Sequence, residues 1–179
     1  MESVPKIKML KNMNKQQKKN LVINPTKRQR ITEGSILEIN IENQYFVYAQ
    51  ILKEGLGYAF FDFQSCERLL DFSILNEAKV LFIVLVYDNV ITKGLWVKTG
   101  KLAIREELNE LPMKFIQDSQ NLNNFELYNP NTGEISKATK EQCLELECAA
   151  VWEANHVEDR IRDYYNCKPN IWVEQLKIK

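Results

Sequence analysis

From residue 35 onward, apolar and polar residues alternate with a period of two. Ser35–Ile41 sets Leu37, Ile39 and Ile41 on one side and Glu38 and Asn40 on the other, which is the alternation of a strand. Glu42 and Asn43 make a turn, and Tyr45–Leu52 follows, apolar on both sides. Gly55 and Gly57 mark the next turn, because glycine takes positive φ without a Cβ penalty. Tyr58–Phe63 is the third strand. Gln64–Asn76 is a mixed crossover with some helix. Lys79–Tyr87 is a continuous apolar run that predicts a central, covered strand, with Trp96–Lys98 beside it. A helical turn over Ile104–Leu111 stops at Pro112. Two more strands are predicted at Lys114–Gln117 and Phe125–Tyr128, then a loop over Asn129–Gly133 and a short edge at Glu134–Lys137.

The period then changes. Thr139 with Gln142, and Asn155 with Glu158, have the spacing of capping boxes, in which each side chain satisfies a free backbone N–H at a helix start. With Asn155 as cap, Val157, Ile161, Tyr164 and Tyr165 share the core-facing side. Asp159, Arg162 and Asp163 fall on the wet side, a plain solvated face or, on a sharper reading, a partner-binding one. Glu158 precedes Arg162 by four residues, a pairing worth about 0.3–0.5 kcal/mol. Lys168 and Pro169 end this helix. The first helix is less clean. Glu147 projects between apolar flanks, so either it is half buried and tied to an arginine or to backbone amides, or the helix is short. Trp172–Lys177 is expected to return as a final strand. The predicted class is α+β: a small bent antiparallel sheet or SH3-like half-barrel with C-terminal helices packed on it.

Composition changes this picture through charge. The chain has 179 residues, 45% of them hydrophobic, enough for a real core, and a formal net charge of zero. Met1–Ile31 carries nine Lys or Arg and one acid, a net +8, whereas the other 148 residues carry 15 bases and 23 acids, a net −8. The expected organisation is a basic, disordered tail over residues 1–30 and a single domain over 31–179. An acidic body repels nucleic acid and attracts basic proteins. The lysine-rich start has no secretory h-region, and the longest apolar run, Val80–Tyr87, is too short to span a membrane. The expected compartment is the cytoplasm, with Cys66, Cys143, Cys148 and Cys167 as reduced thiols.

Candidate chemistry is sparse, and no enzyme, cofactor or metal is expected. The lone histidine, His156, sits in the first turn of its helix, where the dipole disfavours a positive imidazole. No nucleophile motif surrounds it. Cys143 and Cys148, five residues apart on a helix, would point about 140° apart, which disfavours a shared zinc. Gly55 and Gly57 lack the third glycine of a phosphate loop. Asp62 is a lone carboxylate among Phe60, Phe61 and Phe63, and reads as a strand-end residue bonding a turn amide; together with Glu147 it is a carboxylate to locate. The aromatics between residues 45 and 63 and the basic tail leave an alternative, a nucleic-acid-binding module. Deleting Met1–Arg30 would discriminate, because an acidic body without the tail should not bind nucleic acid.

Several segments in one unbroken order resemble the immunity protein 26 family of bacterial polymorphic toxin systems. They are Lys27–Gly34, Tyr58–Asp62, Leu81–Tyr87, Ile91–Trp96, Lys114–Asp118, Leu146–Trp152, His156–Tyr165 and Pro169–Trp172. The resemblance implies a non-catalytic cytoplasmic antitoxin that binds a toxin domain and blocks it. It brings no catalytic residues and does not fix the toxin class, although nucleases are common partners in such systems. An acidic body suits a basic nuclease. The expected toxin contact comprises Glu153, Glu158, Asp159 and Asp163, with Trp152 or Trp172 as an aromatic anchor wherever either is exposed. The plain alternative for both tryptophans is core packing.

Overall fold

The computed structural model describes residues 29–179. The basic tail expected over Met1–Arg30 therefore lies outside the described residues, apart from Gln29 and Arg30. Ten strands form two sheets. The first has six strands in the order β10-β4-β3-β2-β1-β5: β1 Ser35–Ile41, β2 Tyr45–Leu52, β3 Gly57–Ser65, β4 Val80–Val86, β5 Val97–Lys101 and β10 Val151–Trp152. The second has four in the order β8-β7-β6-β9: β6 Lys114–Gln117, β7 Phe125–Tyr128, β8 Ile135–Ala138 and β9 Glu147–Cys148. Short helices follow the chain as α1 Asn89–Thr92, α2 Lys140–Cys143, α3 Ala154–Tyr165 and α4 Ile171–Gln175. The class is α+β, with antiparallel meanders at the heart of both sheets and, among the described residues, no closed barrel. Parallel pairs at β10–β4 and β6–β9 make both sheets mixed.

The alternation in β1 to β3 buries Leu37, Ile39, Ile41, Val47, Ile51, Tyr58 and Phe60 on one side, where Val157 and Ile161 of α3 close the core. The opposite side is covered too. Ile36, Tyr48 and Phe61 pack there against Leu75, Leu69 and Phe72 from the crossover between β3 and β4. Glu38, on the side opposite Leu37 and Ile39, is therefore only 4% exposed. Arg68 of the crossover pairs with it at 3.2 Å. Burial raises the Glu38 pKa, with Arg68 and the Tyr48 hydroxyl pulling the other way. The crossover runs close because Gly100 on β5 has no side chain: a Cβ there would sit 2.5 Å from the Phe72 ring.

Other expectations need correcting. Trp96–Lys98 was placed beside the β4 run, but β5 pairs with β1 (Glu38 opposite Val97). The Thr139 capping box forms as read, with Gln142 N donating to Thr139 Oγ1 and Gln142 Oε1 accepting from Thr139 N. Its helix lasts a single turn. Residues 147–152 instead pair with β6 and then with β4, so one extended stretch stitches the two sheets together, and those ladder bonds outcompete helix continuation. Helix α3 starts at Ala154 with Glu153 as N-cap and no side-chain cap bond, so the Asn155 box does not form. Trp172–Lys177 is not a strand. Asn170 caps α4 by accepting from Val173 N at 3.1 Å.

Candidate functional site

The carboxylates of α3 and its flank are the residues expected to meet a partner, and most are engaged internally. Glu158 was expected to pair with Arg162. It turns inward instead and accepts a 2.8 Å hydrogen bond from Trp96 Nε1. Burial raises the Glu158 pKa, the Trp96 bond opposing it. Asp159 accepts from Trp172 Nε1 at 3.0 Å and pairs with Arg162 at 2.7 Å. Arg162 also reaches Glu42 at the β1–β2 turn, 3.1 Å away. Asp163 accepts from Asn170 Nδ2 at 2.8 Å, tying α3 to the cap of α4. Asp159, Arg162 and Asp163 are thus half-buried and not fully wet. Glu153 is exposed. Trp152 is 4% exposed and belongs to the main core, which removes it as a surface anchor. Trp172 is half-buried, its ring stacked on His156 with centroids 3.7 Å apart.

Glu147 and Asp62 both have partners. Tyr164 Oη donates to Asp62 Oδ2 at 2.9 Å, so Asp62 holds the end of α3 and does not bond a turn amide. Glu147 lies at the seam between the sheets. Arg160 Nη2 of α3 donates to its Oε1, and Lys114 Nζ of β6 lies 3.4 Å from its Oε2. Lys114 Nζ also donates to Ile83 O of β4 at 2.7 Å, binding one sheet to the other. The Arg160 guanidinium lies over the Phe82 ring, 3.9 Å from its centroid. Burial pushes the Glu147 carboxyl up, but the two cations outweigh it and hold its pKa below the ordinary value. Burial lowers the Lys114 pKa against the pull of Glu147. This is the paired, half-buried glutamate that the sequence pattern offered as one of two possibilities.

A groove of about 380 Å³ opens beside this seam, lined by Phe115, Leu144, Leu146, Val173, Leu176 and Ile178 around Glu147 and Arg160. A smaller hollow of about 180 Å³ lies on the Lys114 side, between Leu56, Leu111, Tyr128 and Val151. Among the described residues, no group of three or more His, Cys, Asp or Glu is placed to hold a metal ion, and no helix is long and apolar enough to cross a membrane. The model of the family described as Immunity protein 26 matches residues 32–126. The chain belongs to the immunity protein 26 family. Its family name makes it an immunity protein, whose counterpart is a toxin. The matched span holds β1 to β6 and the crossover over the outer face, and ends inside β7, before α2. A search of the curated proteins found no match, and neither did a search of the solved structures.

Three side chains that organise this immunity protein escaped the sequence pattern: Arg160, Lys114 and Trp96. Each acts on a carboxylate elsewhere in the chain, with partners 13, 33 and 62 positions apart. No local spacing encodes such pairs. Arg68 carried no local signal either: the need for a cation at Glu38 follows from the cover on both faces of β1, which only the fold reveals.

Proposed function

We propose that the protein is a non-catalytic cytoplasmic inhibitor that binds and neutralises a cognate bacterial toxin domain, presenting an acidic surface to a basic partner. Membership in the immunity protein 26 family carries this reading. Charge supports it: residues 29–179 hold 16 Lys or Arg against 23 Asp or Glu. A basic nuclease is the toxin class such a surface suits, because complementary potentials steer encounter and reject like-charged competitors. The segment Glu153–Tyr165 contributes Glu153, Glu158, Asp159 and Asp163 against Arg160 and Arg162. It thus keeps an excess of negative charge despite its internal bonds. Trp172, half-buried beside it, is the aromatic of this contact.

The test pairs the protein with the toxin domain encoded beside its gene. Co-expression should restore growth to cells making the toxin, and the purified pair should co-elute as a stable complex. Replacing Asp159 and Asp163 by lysine should slow association about 10-fold at low salt and flatten its salt dependence. Failure of the unmodified protein to bind the toxin would overturn the function. Unchanged kinetics in the double variant would discard the placement on α3 alone.

A further inference from the structure

The segment Cys66–Ala78, which crosses from β3 to β4 over the outer sheet face, holds the most exposed large apolar side chain among the described residues. Leu70 is 98% exposed, and Ile74 is 50% exposed. An isolated exposed leucine needs no explanation. This one is held out by a fixed frame. On one side, Leu69 packs against the outer core and its N–H donates to Tyr48 Oη at 2.8 Å. Arg68 is anchored on buried Glu38. On the other, Asp71 accepts from Ser73 N at 2.9 Å and from Ser73 Oγ at 2.7 Å, closing the turn, while Phe72 sits in the space over Gly100. Arg105 Nη1 donates to Asn76 O and Ala78 O and fixes the far end.

Acids outnumber bases around this knob, although exposed Lys79 follows the segment and Arg105 docks on its far end. Between Cys66 and Ala78 the acids are Glu67, Asp71 and Glu77, all exposed, and none forms an ion pair with another described residue. The single base, Arg68, is half-buried and neutralised by Glu38. An apolar tip on a loop fixed in advance, with exposed Glu67 and Glu77 on the same segment, suits a cationic surface that offers an apolar recess. We infer that Leu70, supported by Ile74 and flanked by Glu67, Asp71 and Glu77, is the anchor by which this protein docks its toxin, inserting into an apolar recess rimmed by lysine or arginine. The inference rests on the proposed inhibitory function and sets a second docking face, on the opposite side of the six-stranded sheet, against the placement on α3.

The test measures binding kinetics of the full chain to the purified toxin domain encoded beside its gene. Leu70→Arg should weaken the complex about 30-fold or more, mainly through faster dissociation, whereas Leu70→Met should bind within about threefold of the unmodified protein. Both variants should keep the thermal midpoint of the unmodified protein, because Leu70 packs on nothing in the fold. If Leu70→Arg binds as tightly as the unmodified protein, the anchor is elsewhere and only this inference falls. If the unmodified protein does not bind, the inhibitory function falls and takes the anchor with it. If Leu70→Arg converts a dimer of this chain to monomer while leaving toxin affinity intact, the knob serves self-association and the inference is overturned.

Discussion

Two acidic regions of the molecule look alike in sequence and behave differently in space. Around α3, the carboxylates of Glu158, Asp159 and Asp163 accept bonds from Trp96, Trp172 and Asn170, and Glu147 is clamped by Arg160 and Lys114. In the crossover, Glu67, Asp71 and Glu77 face water around an exposed leucine. The first set holds helices and sheets together; in the second, Asp71 closes its own turn on Ser73, and the Glu67 and Glu77 carboxylates have no partner among the described residues. An acidic run in a sequence is therefore not yet an acidic surface. What separates the two is the supply of donors: α3 packs among tryptophans, arginines and an asparagine, whereas the crossover's one guanidinium is already committed to Glu38.

The sharpest way to break this contrast is at Glu147. Removing it leaves Lys114 and Arg160, both largely buried, without their shared carboxylate. Glu147→Ala should cost about 2–3 kcal/mol, at or below the usual range for a buried pair because Glu147 keeps about a third of its side chain in water, and should lower the thermal midpoint by about 5–10 °C. The pH dependence follows from the depressed pKa of Glu147. A carboxylate held below its ordinary 4.5 stabilises the fold above that pH and loses its contribution as the pH falls through the folded value. Urea unfolding of the unmodified protein and of Glu147→Gln should therefore differ most near neutrality and converge below 4.5. Equal stability at neutral pH would show that the clamp contributes nothing.

A smaller effect is expected at Glu158, with the opposite pH sign. Glu158→Ala leaves the indole N–H of buried Trp96 without an acceptor and should cost about 1–2 kcal/mol, read by chemical denaturation. The Glu158 pKa is raised, so the stability this group contributes is complete below the unfolded value and declines as the pH rises through the folded one. Glu158→Gln keeps an acceptor and loses the charge. It should gain on the unmodified protein between acid and neutral pH, where Glu147→Gln loses ground. Parallel pH trends for the two variants would sink the claim that both groups are structural.

How much of this was legible follows the range of the interactions. Strands β1, β2, β6 and β7 announce themselves through alternation and turns, and their bounds are those of the pattern. The core residues Val157 and Ile161 follow from helical periodicity, and the Thr139 cap from its spacing. What failed depends on distant partners. The helix expected after Thr139 became strand because two separate sheets offered it ladder bonds. Asn170 does not read as a cap because the pattern of Trp172–Lys177, just after it, predicts a strand and not a helix. Trp152 and Trp172, equal candidates in sequence, separated only when β10 carried the first into the core. The exposed leucine was invisible for a different reason: in Leu69–Leu75, inward and outward apolar residues follow no single period, so Leu70 reads like its buried neighbour.

The smallest structural effect, and the cleanest separation of the two regions, is expected from reversing the free acids of the crossover. Glu67→Lys with Glu77→Lys touches side chains that form no ion pair with the described residues, so the thermal midpoint should stay within about 1–2 °C of the unmodified protein. Association with the toxin domain should nevertheless slow about 10-fold at low ionic strength, with the difference shrinking as salt screens the encounter. The Asp159 and Asp163 reversal probes the same steering from the helix side, but breaks bonds to Trp172, Arg162 and Asn170, so it should lower stability as well as rate. A crossover variant that associates at full speed, beside a helix variant that does not, would put the steering field on α3 and confine Leu70 to a short-range role. The reverse outcome would make Cys66–Ala78 both the guide and the anchor, and leave the α3 carboxylates as parts of the frame.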